Sequence, residues 1–246
     1  DQSYKDLLIK NLLREYKSTV ITSNKVIENY FKNFKELYAD RITSNPVKFP
    51  GFRDAIEQAL ENGVTPCGVV TGLATFTGEE NSENGSAKKQ KTKKQKATYR
   101  VGLVVSNVEF QAGAFDMASC EKVCRLLDDC ARLKLPMIFF ISSAGMQTKE
   151  GGGSLFSMSI INERITRFVK DLDLPVLCFG FRDCTGGAQA SFVTHLLART
   201  YYFSGSQIPF AGQLVVESHL PAHSTLSNYL ATNPGTMDGL VKNPFD

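Results

Sequence analysis

Apolar positions change their period partway along the chain. In the first part they recur at helical spacing, at Leu7, Leu8, Leu12 and Leu13 and again at Val26, Ile27, Tyr30, Phe31 and Phe34. This predicts helices over residues 4–40 and makes residues 1–45 a lysine-rich helical arm for packing or partner docking. Pro46, Pro50 and Gly51 in SNPVKFPGFRD mark a linker, and AIEQALENG reads as a short helix ending at Gly63. Two apolar runs then follow, CGVVTGLATF and YRVGLVVSNVEF, with a lysine-rich tip between them. That is the pattern of a β-hairpin carrying a long insertion, placed at 79–97. From there strands and helices alternate. A helix over FDMASCEKVCRLLDDCARLK leads to strand LPMIFFIS, loop SAGMQTKEGGG and helix SLFSMSIINERITRFVKDL. Strand LPVLCFGF, a glycine pair, helix GAQASFVTHLLART, strand TYYFSG and a last helical region complete the order. Continuous apolar strands alternating with helices imply a buried, mostly parallel sheet with right-handed crossovers, so the fold class is α/β.

Ligands of such sheets sit at the carboxyl ends of the strands. The loops 143–153 and 183–187 both run from strand to helix, both carry glycines, and they share that edge. The pair Gly186 and Gly187 leaves main chain bare where a helix begins with unpaired N–H groups and a partial positive charge. Two readings fit: an anion or oxyanion site, or a tight turn with a close helix–sheet contact.

Composition narrows the function classes. Of 246 residues, 42% are hydrophobic and 22% charged, an ordinary globular balance, and the length suffices for one large or two small domains, of which residues 46–246 are read as one. No apolar run approaches the roughly 18 residues a membrane span needs, and no secretory signal is visible. The chain starts at Asp1, as a processed product or a piece of something longer would. The formal charge of +3 resides in EENSENGSAKKQKTKKQK, which holds six lysines and three glutamates; the remainder is neutral. A solvated tip explains that charge, and nucleic acid is not an expected partner. Cys67, Cys120, Cys124, Cys130, Cys178 and Cys184 form no CxxC pair, so they are expected as reduced, structural thiols and no metal is expected.

Side-chain catalysis finds few candidates. Ser191 and His195 are four apart, without a GxSxG elbow or an evident carboxylate partner, and Pro221 separates His219 from His223. KEGGGS lacks the lysine of a phosphate loop, and GxGxxG is missing. Backbone amides remain, and they suit an enolate formed from a thioester, because the charge develops on one oxygen that two fixed N–H groups can hold.

The run from NPVKFPGFRDAIEQALENG through VEFQAGAFDMASCEKVCRLLDDCARLKLPMIFFISSAGMQTKEGG to TGGAQASF, PFAGQLVVE and GTMDGLV resembles the carboxyltransferase component of biotin-dependent acyl-CoA carboxylases, chiefly its β-type half. The resemblance covers roughly residues 46–241. It implies a crotonase-like (ClpP/crotonase) fold of repeated ββα units. The family's Ser-Gly-Gly-Ala-Arg-x-Gln-Glu-Gly loop falls on Ser143, Ala144, Gly145, Met146, Gln147, Thr148, Lys149, Glu150 and Gly151. Alanine thus stands for the first glycine and Gln147 for the arginine.

The resemblance further implies that Gly145, Met146, Gly186 and Gly187 supply the catalytic backbone. Substrate contacts would come from Gln111, Gly113, Ser143, Ala144, Glu150 and Gly151, and from Phe210, Ala211 and Gly212. The implied reaction moves a carboxyl group from carboxybiotin, presented by a carrier domain, to the α-carbon of an acyl-CoA, with no covalently bound cofactor. β-type halves often carry a four-cysteine zinc ribbon before this domain, but this sequence supplies no CxxC…CxxC, so no zinc is expected. The implied partners are an α-type carboxyltransferase half, the biotin carboxyl carrier and biotin carboxylase, in a hetero-oligomer of the cytoplasm or an organelle stroma or matrix. Two other readings stay open: a non-catalytic scaffold subunit, and a crotonase-like hydratase or decarboxylase that would use a carboxylate such as Glu150.

Overall fold

A computed structural model describes residues 21–80, 95–203 and 206–208. Helix α1 (Ser23–Tyr30) is capped by Thr22, whose hydroxyl accepts from Lys25 N, and is followed by strand β1 (Lys32–Glu36). Helix α2 (Phe52–Glu61) ends just before Gly63, whose positive φ of 70° turns the chain back. The expected hairpin is β2 (Val69–Glu80) against β3 (Gln95–Ser106), antiparallel along its whole length. The centre of the lysine-rich tip lies outside the described residues. Helix α3 (Met117–Leu133), β4 (Met137–Ser143), α4 (Gly152–Lys170), β5 (Val176–Cys184), α5 (Gly186–Ala188) and β6 (Arg199–Tyr202) follow.

The six strands stand in chain order in one sheet, antiparallel from β1 to β3 and parallel from β3 to β6. Sequential parallel strands with crossovers of one hand put successive crossover helices on one face. Accordingly α3 and α4 share a side of the sheet. Val123, Leu126, Leu127 and Cys130 of α3 and Ile161, Ile165 and Phe168 of α4 pack on Val104, Met137, Phe139, Ile141, Val176 and Cys178. The intervening strand positions Leu103, Val105, Ile138 and Phe140 face the opposite side, where Val26 and Ile27 of α1 and Phe31 cover them. Apolar groups on both faces explain why all seven residues of β4 are buried and why its sequence reads as a continuous apolar run. Among the described residues no helix is long and apolar enough to cross a membrane.

Two expectations are corrected. The helical reading of residues 4–40 fails after Tyr30: Phe31 is extended, Asn33 has a φ of 52°, and residues 32–36 form the edge strand β1. Its cause lies in β2, where Gly72 is bare. A Cβ there would lie 2.3 Å from Lys35 O and 2.6 Å from the Phe34 ring, so the glycine admits a strand that helical spacing disguised. The helix expected over 187–200 stops at Val193 after a turn of π geometry over Gln189–Val193. Thr194 then leaves helical geometry, and the Thr200 hydroxyl donates to Val193 O, so β6 starts where it must to pair with β5. The last helical region and residues 1–20, including Leu7 to Leu13, lie outside the described residues.

Packing of α3 on the sheet depends on Gly102 in β3. A Cβ at Gly102 would sit 2.3 Å from Cys130 Sγ and 2.4 Å from Met137 Sδ. Gly102→Ala is therefore expected to destabilise the fold by about 1–3 kcal/mol, the range for overpacking a core. Urea unfolding followed by circular dichroism measures it; an unchanged midpoint would mean that α3 does not press on this strand.

Candidate active site

At the carboxyl ends of β3, β4 and β5 three loops lie side by side. The first contains Gln111, Ala112 and Gly113, three consecutive residues with positive φ (46°, 52° and 67°). Such a left-handed turn costs a non-glycine residue about 1–2 kcal/mol, so its surroundings must hold it. They do so by bonds from Gly113 N to Phe110 O (2.9 Å), Ala114 N to Gln111 O (3.1 Å) and Ala144 N to Ala112 O (3.1 Å). Lys149 Nζ, 5.3 Å from the Phe52 ring centre, donates to Gln111 Oε1 at 2.7 Å.

The second loop leaves β4 at Ser143, which is buried. Its hydroxyl lies 2.8 Å from Gly113 O, to which it donates, and accepts from Gly145 N at 3.1 Å. Gly145 has a φ of 105° and passes its carbonyl to Phe115 N (2.8 Å), while Gln147 N bonds to Phe115 O (2.8 Å). In such a bridge the residue between, Met146, turns its own N–H away from Phe115. The Gly145 N–H is consumed by Ser143. Of the two amides expected to act here, Met146 N is the one left for a ligand, with no partner among the described residues.

The third loop is fixed to the second. Thr185 N donates to Ser143 O at 2.9 Å, and Gly186 takes a φ of 61° as helix α5 begins. A Cβ on Gly145 would lie 3.4 Å from both Gly186 Cα and Gly187 N, and one on Gly186 would lie 3.3 Å from Gly145 Cα. The two glycine loops thus touch through bare main chain, which brings Met146 N and Gly187 N within about 7 Å of each other by covalent geometry. That bound stands a little above the roughly 6 Å that an oxygen about 3 Å from each donor can span. Gly187 differs from the other two: its φ is not positive, and a Cβ there would strike Met158 Sδ at 2.6 Å and Met146 Cγ at 2.8 Å.

The remaining expected residues fall in different places. Ala144 is exposed on the second loop, and Gly151, with a φ of 64°, is the cap residue just before α4. Glu150 turns away from the glycine contact. Its buried carboxylate accepts from Met117 N at 2.6 Å, at the start of α3, and from the Thr43 hydroxyl. There it lines a separate cavity of about 460 Å³ with Met117, Cys120, Cys124, Ser157 and Arg164. Gln147, in the arginine position of the resemblance, is buried with its Nε2 unpartnered among the described residues. Phe210, Ala211 and Gly212 lie outside the described residues.

Ser191 and His195 do not form a couple: Ser191 Oγ bonds to Gly187 O, and His195 faces Thr166 Oγ1 while its Nδ1 accepts from Leu197 N. All six cysteines are free thiols, five of them buried. Among the described residues no group of three or more His, Cys, Asp or Glu could hold a metal ion. Met158, which flanks Gly187 from α4, was not singled out by sequence, because a methionine at helical spacing reads as core.

Burial raises the Glu150 carboxyl above the ordinary carboxylate range, and its two hydrogen bonds only partly oppose this. A raised folded-state pKa contributes stability present below the unfolded value and lost as pH rises through the folded one. Glu150→Gln lacks that loss. Thermal melts at pH 4 and pH 7.5 should find wild type losing ground to Glu150→Gln as pH rises; a constant or opposite difference would contradict the burial effect.

No family model matches the chain. In sequence it is 30% identical over 190 residues to acetyl-coenzyme A carboxylase carboxyl transferase subunit beta 1 of Lachnospira eligens, across 76% of this chain and 64% of that protein. The chain therefore spans a little under two thirds of that relative's length. In fold it is similar to transcarboxylase 12S, with a TM-score of 0.64 and 18% identity over 90% of this chain and 37% of that one. It is also similar to a Pseudomonas malonate decarboxylase hetero-tetramer chain, with a TM-score of 0.53 and 16% identity over 81% and 64%. The fold shared with the carboxyltransferases is crotonase-like.

Proposed function

Since the chain is a relative, in sequence and in fold, of the carboxyltransferase β subunits of acyl-CoA carboxylases, we propose that it is the acyl-CoA half of a biotin-dependent carboxyltransferase, with acetyl-CoA the first substrate to test. One observation carries the reading: two glycine loops meet at the carboxyl edge of the parallel strands, with Met146 N and Gly187 N beside the contact. The thioester oxygen of the acyl-CoA sits between these amides. When the α-proton leaves, negative charge gathers on that oxygen, and donors already in place stabilise it without reorganising. Carboxybiotin on a carrier supplies the carboxyl group and, in giving it up, the nitrogen that takes the α-proton. This chain's side chains then need no base at the glycine contact, in keeping with Glu150 being bonded to Met117 N and Thr43.

Among the described residues only one such pair of facing glycine loops is found, so the biotin side of the reaction is assigned to a complementary half. We place the chain in a hetero-oligomer with that half, the biotin carboxyl carrier and biotin carboxylase. The bonds around Ser143 make it a positioning residue rather than a substrate contact: it is buried, its hydroxyl proton goes to Gly113 O, and its oxygen accepts from Gly145 N.

The test follows labelled carboxyl from carboxybiotin to acetyl-CoA, with the chain alone and with a candidate α-type half. The pair should be active and the chain alone idle. Ser143→Ala in the active pair should lower kcat by about 10²-fold, the scale of losing one oxyanion donor, with KM little changed. Continued inactivity of the complete pair would overturn the reading, and an unaltered kcat in Ser143→Ala would remove Ser143 from the support of the donors.

A further inference from the structure

Gly187 is bare because two methionine side chains close over it. A Cβ there would lie 2.6 Å from Met158 Sδ and 2.8 Å from Met146 Cγ. Covalent geometry then puts Met158 Sδ no more than about 5 Å from Gly187 N. An oxygen bonded to that nitrogen brings the rest of a thioester into the same few ångströms, so its acyl carbons meet the methionine ends.

The two side chains are not equivalent. Met146 is buried, belongs to the main core cluster, and its backbone is fixed by the bridge to Phe115. The atom it brings to Gly187 is Cγ, next to its own Cβ, so it can move little without moving the loop. Met158 stands half-buried on α4 and brings Sδ, nearer the end of an unbranched side chain with several rotatable bonds.

We propose that Met158 sets the acyl-chain length the site accepts, its thioether closing the space beside the substrate's α-carbon so that short acyl groups fit and longer ones collide. The inference rests on the acyl-thioester reading of the glycine contact. It adds a specificity residue supplied by α4 rather than by either glycine loop. Truncating Met158 removes three heavy atoms from that space, room for a comparable number of chain carbons. One methylene in an apolar pocket already discriminates by about 10–200-fold.

Calorimetric titration of acetyl-, butyryl- and hexanoyl-CoA into the assembled protein tests this. Wild type should favour acetyl over hexanoyl. Met158→Ala should shift the hexanoyl-to-acetyl affinity ratio by at least about 10-fold towards hexanoyl, and the volume-conserving Met158→Leu should leave it near wild type. Should Met158→Ala fail to fold, Met158→Phe supplies the opposite sign, weakening butyryl-CoA more than acetyl-CoA. A wild-type length preference that the variants leave unchanged would overturn this inference alone. Absence of binding by any acyl-CoA to wild type would overturn the acyl-thioester reading and this inference with it.

Discussion

Where strands end and the chain leaves the ladder, main-chain N–H and C=O groups lose their sheet partners and need others if they are buried. At the carboxyl edge of this sheet several of those partners converge on Ser143. Its hydroxyl joins the left-handed turn at Gly113 to the loop at Gly145, and its carbonyl accepts from both Thr185 N and the Thr185 hydroxyl. One buried residue thus spaces three loops drawn from three strands. The constraint is local, yet the contact between Gly145 and Gly186 exists only while it holds, since neither glycine has a side chain of its own to grip with.

Beneath these loops the first turn of α3 takes a second set of ties. Asp116 caps the helix, accepting from Ser119 N at 2.6 Å and from Gly68 N at 2.9 Å, and Glu150 accepts from Met117 N. Two buried carboxylates therefore meet one helix N-terminus, where the unpaired amides and the dipole favour negative charge. Desolvation still raises both carboxyl pKa values, so the hydrogen bonds do not fully offset burial. What they achieve is connection: Asp116 holds the start of β2 against α3, and Glu150 holds the end of the second loop and the segment around Thr43. The buried Lys122 Nζ completes this floor by donating to Val69 O. The loops thus rest on a helix end where the Met117 and Ser119 amides are already taken by carboxylates.

Periodicity made the α/β order, the hairpin and the crossover helices legible, because strands buried on both faces and helices buried on one have distinct apolar rhythms. Periodicity failed where a tertiary contact decided the outcome. Phe31 and Phe34 have helical spacing, but a strand at 32–36 is selected by bare backbone at Gly72, about forty residues away in the chain. The break of α5 at Val193 depends on Thr200 and on the register of β6. Within the site, the meeting of the two glycine loops was legible from their shared edge. The division of labour was not. That Gly145 N is spent on Ser143, that Glu150 faces another cavity, and that Met158 reaches Gly187 are facts of side-chain direction, on which spacing is silent.

The same distinction bears on where this chain departs from the loop pattern it resembles. Glycine is indispensable where φ is positive, and the two contact positions with that property, Gly145 at 105° and Gly186 at 61°, are both glycine. Ala144 takes the place of a glycine in the pattern, but it does not have positive φ, its side is exposed, and its amide bonds normally to Ala112 O. A methyl group there costs the backbone nothing. Gln147, in the arginine position, keeps its own N–H on Phe115 O and leaves the bridge intact, so only its side-chain charge is lost. The substitutions therefore remove whatever that charge would have contacted while leaving the geometry of the amide donors in place. This is the pattern expected if stabilisation comes from main chain held by its neighbours.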